Sequence, residues 1–304
     1  MLCSLSAQDF RIVAIDERPG HTMSADLFAT AAPDAVRKYM PDGTAPASVT
    51  TFVMFAGDDI ILFDAGLGSE LWEQKLTEAG VKPEDVKLVL LTHTHGDHIG
   101  GLMKGDERDR RFPNATIRLS EQELVHWMPF WVPPPGMRVA ISPDEQHLAS
   151  WRIYETYRSD PPIVRERVGL FIRETRRGSF IPDIAPFNFG DIVFENAHVK
   201  ITAKDAVGHT PGHTVFLVEP KVEGEERLLI VGDLLHAAAL QFPVPEACAR
   251  FDMDMEKAVI ARKRILNFAA ENNIPIAGMH FPPPSIGTVR KDGNGGYVFE
   301  LRAE

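Results

Sequence analysis

The chain has 304 residues, a formal net charge of −11, and 44% hydrophobic against 25% charged residues. That length can bury a large core, and no apolar run approaches the ~18–20 residues that span a bilayer. The acidic balance argues against nucleic acid, whose binding is driven by phosphate neutralisation. Two cysteines, Cys3 and Cys248, make neither a disulfide framework nor a ligand spacing. The N-terminal MLCSLSAQDF carries no basic region or long apolar stretch. A cytoplasmic home is therefore expected, or a periplasmic one if the chain is trimmed.

In chain order, residues 10–15 (FRIVAI) predict a first strand. Residues 16–48 are rich in Pro, Gly and Ala and read as irregular, with a short helix at 33–39 and His21 as a solvated loop residue. Residues 49–55 and 60–63 are strands around a Gly57-Asp58-Asp59 turn. Asp64 follows at once, either as a turn former or as a group that orients the loop described below. Residues 69–79 form a helix with Ser69 as N-cap and Gly80 past its end. The run 86–91 (VKLVLL) is a buried strand, and 114–119 another. Ser120 to Glu123 (SEQE) is a capping box opening a helix through Met128.

Residues 128–190 change texture and predict a helical, aromatic-rich insertion lying over a β core. Trp127 and Trp131 are the substrate-binding candidates there, since small-molecule pockets are lined by aromatic and apolar groups. Strand signals return at 192–194, 199–203, 214–218 and 228–231, as a second antiparallel set with Glu223-Gly224-Glu225 at a hairpin tip. A helix over 253–271 follows, capped by Asp252 or Asp254, with an apolar stripe. A short strand ends at Gly278-Met279-His280, and 286–290 and 297–301 close the chain.

The chemistry concentrates in residues 91–101, LTHTHGDHIGG. His93, His95, Asp97 and His98 offer imidazole nitrogen and carboxylate oxygen, the donor set of a borderline divalent cation such as zinc. His93 and His95 share one side of an extended backbone, while Asp97 and His98 follow on the bend. Four ligands from so short a segment strain a single ion. Two ions a few ångströms apart, with ligands supplied from elsewhere, is the better geometry. Two further loops hold ligand types: Gly208-His209-Thr210-Pro211-Gly212-His213 and Gly232-Asp233-Leu234-Leu235-His236.

HTHGDH, then GHTPGH, then GD after a strand, then a late histidine at a strand end resemble the metallo-β-lactamase superfamily, in its order. The resemblance runs from Asp64 to His280 and implies an α/β, four-layer αβ/βα sandwich over 1–304 as a single domain, with the helical insertion added. It implies two divalent cations, zinc first, with manganese, iron or cobalt as alternatives. His93, His95 and His209 would hold one; Asp97, His98 and His280 the other; Asp233 would bridge both. Asp64 and His213 would orient the ligands. Within the superfamily, GDLLHAAALQFP (232–243), HFPPPSIGTVRKDGNGGYVF (280–299) and FPNATIRLSEQE (112–123) are similar to methyl parathion hydrolase and lactonase-like enzymes. That likeness implies a homodimer, and a small-molecule substrate is expected; the acidic charge and the lack of a spanning apolar run predict no nucleic-acid or membrane partner.

The expected activity is hydrolysis of an ester-like bond (lactone, aryl ester or phosphotriester) by attack of a metal-bridging hydroxide. Asp97 and Asp233 are the catalytic carboxylates, and His236 donates to the developing oxyanion. Histidine at 236, where quorum-quenching lactonases commonly carry tyrosine, favours the phosphotriesterase-like, organophosphate-hydrolysing branch. Phe242 and Phe281, beside Asp233 and His280, are further candidates for lining the pocket. The alternatives are a mononuclear iron dioxygenase of the persulfide type, which generally lacks a second site, and a glyoxalase II-like thioester hydrolase.

Overall fold

The computed structural model describes residues 3–6, 10–28, 30–104, 109–127 and 184–302. Its first sheet has six strands whose spatial order follows the chain: β1 (Cys3–Ser6), β2 (Phe10–Asp16), β3 (Thr50–Ala56), β4 (Asp59–Phe63), β5 (Val86–Leu90) and β6 (Thr116–Arg118). The first four pair antiparallel, and β4–β5 and β5–β6 pair parallel. The second sheet repeats this logic with β7 (Ile192–Glu195), β8 (Val199–Asp205), β9 (Thr214–Pro220), β10 (Leu228–Ile230), β11 (Ile276–Ala277), β12 (Ile286–Lys291) and β13 (Tyr297–Leu301). Its one parallel pair is β10–β11.

The period-2 alternation of the strands decides which side chains face which layer. Phe52 and Met54 of β3, Ile61 and Phe63 of β4, and Leu88 and Leu90 of β5 meet Phe216, Val218, Leu228 and Ile230 of the second sheet in one core. Their neighbours Val53, Leu62 and Val89 point the other way, onto Trp72 and Leu76. On the far side Val215, Leu217 and Leu229 pack against Ala261, Ile265 and Leu266. The result is the expected αβ/βα sandwich, two sheets face to face with helices outside.

Six helices matter here: α1 (Pro33–Tyr39), α2 (Glu70–Glu78), α3 (Gly96–Ile99), α4 (Glu121–Trp127), α5 (Ala238–Gln241) and α6 (Met255–Asn272). Ser69 caps α2 by accepting the Trp72 N–H at 3.2 Å. Asp254, not Asp252, caps α6, accepting the Lys257 N–H at 3.0 Å. Helices α2 and α6 are the crossovers that make β4–β5 and β10–β11 parallel, so β5, β10 and β11 all end on the same side of the sandwich. Ligands gather outside the carboxyl ends of such strands.

The stretch read as irregular, residues 16–48, is more ordered than its composition suggested. Thr22–Ser24 pairs with Thr44–Pro46 as a small ribbon. Met23, Phe28 and Met40 pack there with Ala237, Leu240 and Ala247. Strand β1 was also absent from the sequence reading. The 128–190 insertion falls outside the described residues apart from 184–190, where Ile184 and Phe187 bridge to Ile117 and Ser120. No described helix is long and apolar enough to cross a membrane.

Candidate metal centre

Strand β5 delivers the chain into an extended Leu91–His95 segment and then the single turn α3. His93 and His95 therefore project from extended backbone, and Asp97 and His98 from the turn. The turn needs its glycines: a Cβ on Gly100 would meet Leu67 O at 2.5 Å, and one on Gly101 would meet Ala65 O at 2.2 Å. Asp64, held at φ 61°, reaches across that contact. Its carboxylate accepts the Thr92 N–H at 2.8 Å, the Thr92 hydroxyl at 2.9 Å and His98 Nδ1–H at 2.9 Å. Asp64 thus ties the Thr92 backbone and hydroxyl to the His98 ring.

Two trios of donors result. His93 Nε2, His95 Nδ1 and His209 Nε2 converge, with His209 Nε2 3.2 Å from the first and 2.9 Å from the second. Asp97, His98 and His280 form the other trio, with ligand atoms mutually within 4.8 Å. Asp233 stands between them. Its Oδ2 lies 3.3 Å from His209 Nε2 and 3.7 Å from His93 Nε2. Its Oδ1 lies 3.0 Å from His98 Nε2 and 3.2 Å from His280 Nε2. The seven residues singled out in the sequence thus meet at one place, brought together from both sheets.

The hydrogen-bond network settles which ring nitrogens carry protons. His98 donates from Nδ1 to Asp64, His209 from Nδ1 to Asp252 at 3.0 Å, and His280 from Nδ1 to Ser48 O at 2.9 Å. In its neutral form, the one that can bind a metal, each therefore turns a lone pair on Nε2 inward. Thr92, whose hydroxyl proton goes to Asp64, accepts His93 Nδ1–H at 3.1 Å and leaves a lone pair there too. Lone pairs face lone pairs, and His98 Nε2 and Asp233 Oδ1 are buried with no hydrogen-bond partner. Buried polar atoms are normally satisfied. A divalent cation in each trio satisfies them all, so the residues present fit the metals that the donor chemistry implies.

Charge follows the same pattern. Burial and the neighbouring imidazoles hold His93 and His95 well below the usual histidine range. Burial also opposes charge on His209, but the hydrogen bonds it donates to the Asp233 and Asp252 carboxylates outweigh it and raise His209 to about 9. His98 and His280 resist burial likewise, lifted mainly by Asp233. Asp233 stays well below the carboxylate range despite its burial, because His280, His98 and His236 surround it. The pocket is one that stabilises positive charge, whether proton or metal.

His213 is not a donor to either trio. Its Nδ1–H goes to Ala206 O at 3.1 Å and its Nε2 accepts the Asp233 N–H at 3.0 Å, which fixes the Asp233 backbone. Burial keeps it neutral, at about 3. His236, expected to donate to an oxyanion, has its Nε2 3.1 Å from Asp233 Oδ2, so that N–H is engaged by the carboxylate. Its ring stacks on His280 at 5.3 Å and touches Phe251 at 4.7 Å.

Two expectations need correcting. Phe242 and Phe281, named as pocket-lining residues, are 1% and 0% exposed. Phe242 stacks on Phe299 at 4.5 Å and Phe281 meets the same ring at 5.0 Å, in the core between β-sheet and α6. They follow catalytic-loop residues in sequence but turn away from the site. His21 is not a freely solvated residue: it is half-buried within electrostatic reach of His280 and Asp97. Trp127 closes α4, and its side chain, like the whole of Trp131, lies outside the described residues.

Three supporting residues escaped the sequence reading. Asp252, taken as a helix cap, is fully buried and holds His209 while receiving Arg262 at 3.3 Å and the Ala249 N–H at 3.0 Å. Arg262 also donates to Leu234 O at 2.7 Å, tying α6 to the Asp233 loop. Glu123, taken as the acid of a capping box, turns its carboxylate from the helix end toward the ligand loops. Capping chemistry gave a sufficient local reason for both acids, so no signal in the sequence pointed further.

The fold and site define a two-sheet sandwich carrying a histidine–aspartate centre suited to divalent metal. The metallo-beta-lactamase superfamily profile matches residues 44–275, and the chain belongs to that superfamily. Among solved structures it is similar to AidC, described as a dizinc quorum-quenching lactonase, with a TM-score of 0.79 and 20% identity over 100% of this chain and 98% of that one. It is also similar to the hydrolase AbOPH of the beta lactamase superfamily, with a TM-score of 0.73 and 25% identity over 100% and 98%. A curated relative, ribonuclease Z of Aeropyrum pernix, is 38% identical over 65 residues, 20% of each chain. The chain spans between 19% and 29% of the length of the curated relatives it matches.

Proposed function

We propose that the chain is a dinuclear metal-dependent hydrolase of ester-like bonds, with lactones, aryl esters and phosphotriesters as its substrate class and zinc as its metal. The observation that carries this reading is Asp233, which presents Oδ2 to the His93–His95–His209 trio and Oδ1 to the Asp97–His98–His280 trio. A single-metal enzyme has no use for the second, complete trio, and this weighs against the iron dioxygenase reading.

When bound, such a pair of cations supplies Lewis acidity toward a carbonyl or phosphoryl oxygen and lowers the pKa of water at the site. The chain's own residues do the rest. Asp233 holds the two trios at a fixed separation, and His213 and His236 hold Asp233. Asp97 is the least buried of the set, its side chain 30% exposed, so it is the carboxylate that can accept a proton from an entering water. Asp64, Ser48 and Asp252 lock the imidazoles so that no reorganisation is needed during reaction.

The structural likeness to AidC, a lactonase, and to AbOPH, a hydrolase, supports a hydrolase with lactones in its range, and the local match to ribonuclease Z raises RNA as a competitor. The net charge of −11 weighs against RNA. The test is a panel on zinc-, manganese- and cobalt-reconstituted protein: γ-lactones, aryl esters, phosphotriesters, a β-lactam, a glutathione thioester and a precursor tRNA. Ester-type turnover that disappears on chelation and returns with metal is the expected result. Turnover confined to RNA or to the thioester would overturn the substrate class.

A further inference from the structure

We propose that Glu123 is the positioning residue that assembles the His93–His95–His209 trio across the two sheets. The inference rests on the metal-centre reading above and adds a residue outside it. His93 and His95 come from the end of β5 in the first sheet, whereas His209 comes from the loop between β8 and β9 in the second. Their ring nitrogens must meet to within about a cation's diameter, although 114 residues separate His95 from His209.

Glu123 sits between the two loops, at the start of α4 and fully buried. Oε1 accepts the Thr94 N–H at 3.0 Å and the Thr94 hydroxyl at 3.0 Å, so it holds the residue between His93 and His95. Oε2 accepts the Thr210 hydroxyl at 2.7 Å and the Gly212 N–H at 3.0 Å, so it holds the residue after His209. One oxygen thus serves each sheet. Ser120 reinforces the contact, donating to Gly212 O at 2.7 Å while capping the Glu123 N–H at 3.1 Å. Gly212 lies so close that a Cβ there would meet the Glu123 nitrogen at 2.2 Å.

The partner chemistry demands a carboxylate. The backbone N–H groups of Thr94 and Gly212 can only donate, and they approach opposite oxygens. A glutamine of the same shape has one oxygen, so its NH2 must face one of those two N–H groups. One loop is then released whichever way the amide turns. The Asp97–His98–His280 trio has other anchors, Asp64 and Ser48 O, and none of its members is adjacent to a Glu123 partner. The consequence is selective: Glu123→Gln should weaken one of two metal sites.

The experiment measures transfer of zinc from loaded full-length protein to a chromophoric chelator, which resolves two phases if two ions are bound. His209→Ala and His280→Ala assign the phases by deleting one each. Glu123→Gln should release the ion assigned to His209 about 10–100-fold faster, the range found when groups that orient ligands are removed. The other phase should stay within about threefold of wild type. Thr210→Val, which deletes a single hydroxyl, should give the same pattern more weakly and serves if Glu123→Gln fails to fold. Leu76→Ala, a core change remote from the loops, should lower Tm and leave the ratio of the phases unchanged. Release of both ions at wild-type rates, or equal acceleration of both as Tm falls, would overturn the role of Glu123. Wild-type protein that carries no zinc would instead overturn the metal centre itself.

Discussion

The two halves of the centre are built on different principles. The His93–His95–His209 trio is made only of imidazoles and largely buried, His95 being the most exposed at 9%, with Asp233 as the carboxylate grouped with it. The Asp97–His98–His280 trio has a carboxylate of its own, one that reaches solvent. The first is held directly by Asp252, which Arg262 backs, and through its neighbouring backbone by Glu123. The second leans on Asp64 and a backbone carbonyl close by. Both halves draw residues from both sheets, so what separates them is an enclosed, all-imidazole half and an anionic, water-facing half where substrate and proton can arrive.

Asp233→Ala should have the largest effect, because it removes the one group shared by both halves. Both ions should be lost on dialysis and hydrolysis should fall to background; elemental analysis and the substrate panel check it. Retention of a full pair of ions would show that the halves are independent.

Removing the orienting carboxylates one at a time sharpens the contrast. Asp252→Asn should weaken metal at the first half and Asp64→Asn at the second, each by about 10–100-fold. Chelator competition on both variants, with the phases assigned as above, reads the crossed pattern. A single common phase affected by both would merge the halves.

Acid should discriminate them less strongly. With no cation bound, burial opposes charge on His209, yet the hydrogen bonds it donates to the Asp233 and Asp252 carboxylates raise it to about 9, so at pH 7 a metal must displace its proton. Zinc affinity should therefore rise from pH 6 to about 9 with measurable proton release in calorimetry. The same raised value gives chelated protein a contribution to stability that is present below the unfolded value near 6.5. That contribution is lost as pH rises through about 9, and thermal melts against pH test it.

Smallest at the centre are changes to groups outside both halves. Phe281→Ala should cost about 3–5 kcal/mol of stability by opening the core, yet leave the ranking of substrates in the panel unchanged. His126→Ala should leave metal content and turnover as in wild type. A shift of substrate preference in Phe281→Ala would restore its reading as a pocket residue.

What the sequence made legible was whatever is local. Four ligand-type side chains in six positions declare a metal loop because spacings of one and two residues fix their directions on a strand end and a turn. Strands β3 to β5 and β8 to β10 were readable as short, β-prone apolar runs, because most of their residues are buried on both faces of a sheet. Phe242 and Phe281 misled for the complementary reason: nearness in sequence to Asp233 and His280 says nothing of which face a side chain takes. Glu123 and Asp252 were hidden because a capping role explained them locally, while their partners Thr210 and His209 lie 87 and 43 residues away. The ribbon in residues 22–46 was hidden likewise, since its strands are three residues each and owe their order to packing on Ala237 and Leu240.

The most direct measurement is anomalous diffraction at the zinc edge from crystals of zinc-loaded protein. Two peaks, one ringed by His93, His95 and His209 and the other by Asp97, His98 and His280, with Asp233 touching both, are what a shared dinuclear centre requires. One peak alone, or a pair of peaks that Asp233 does not join, would contradict it.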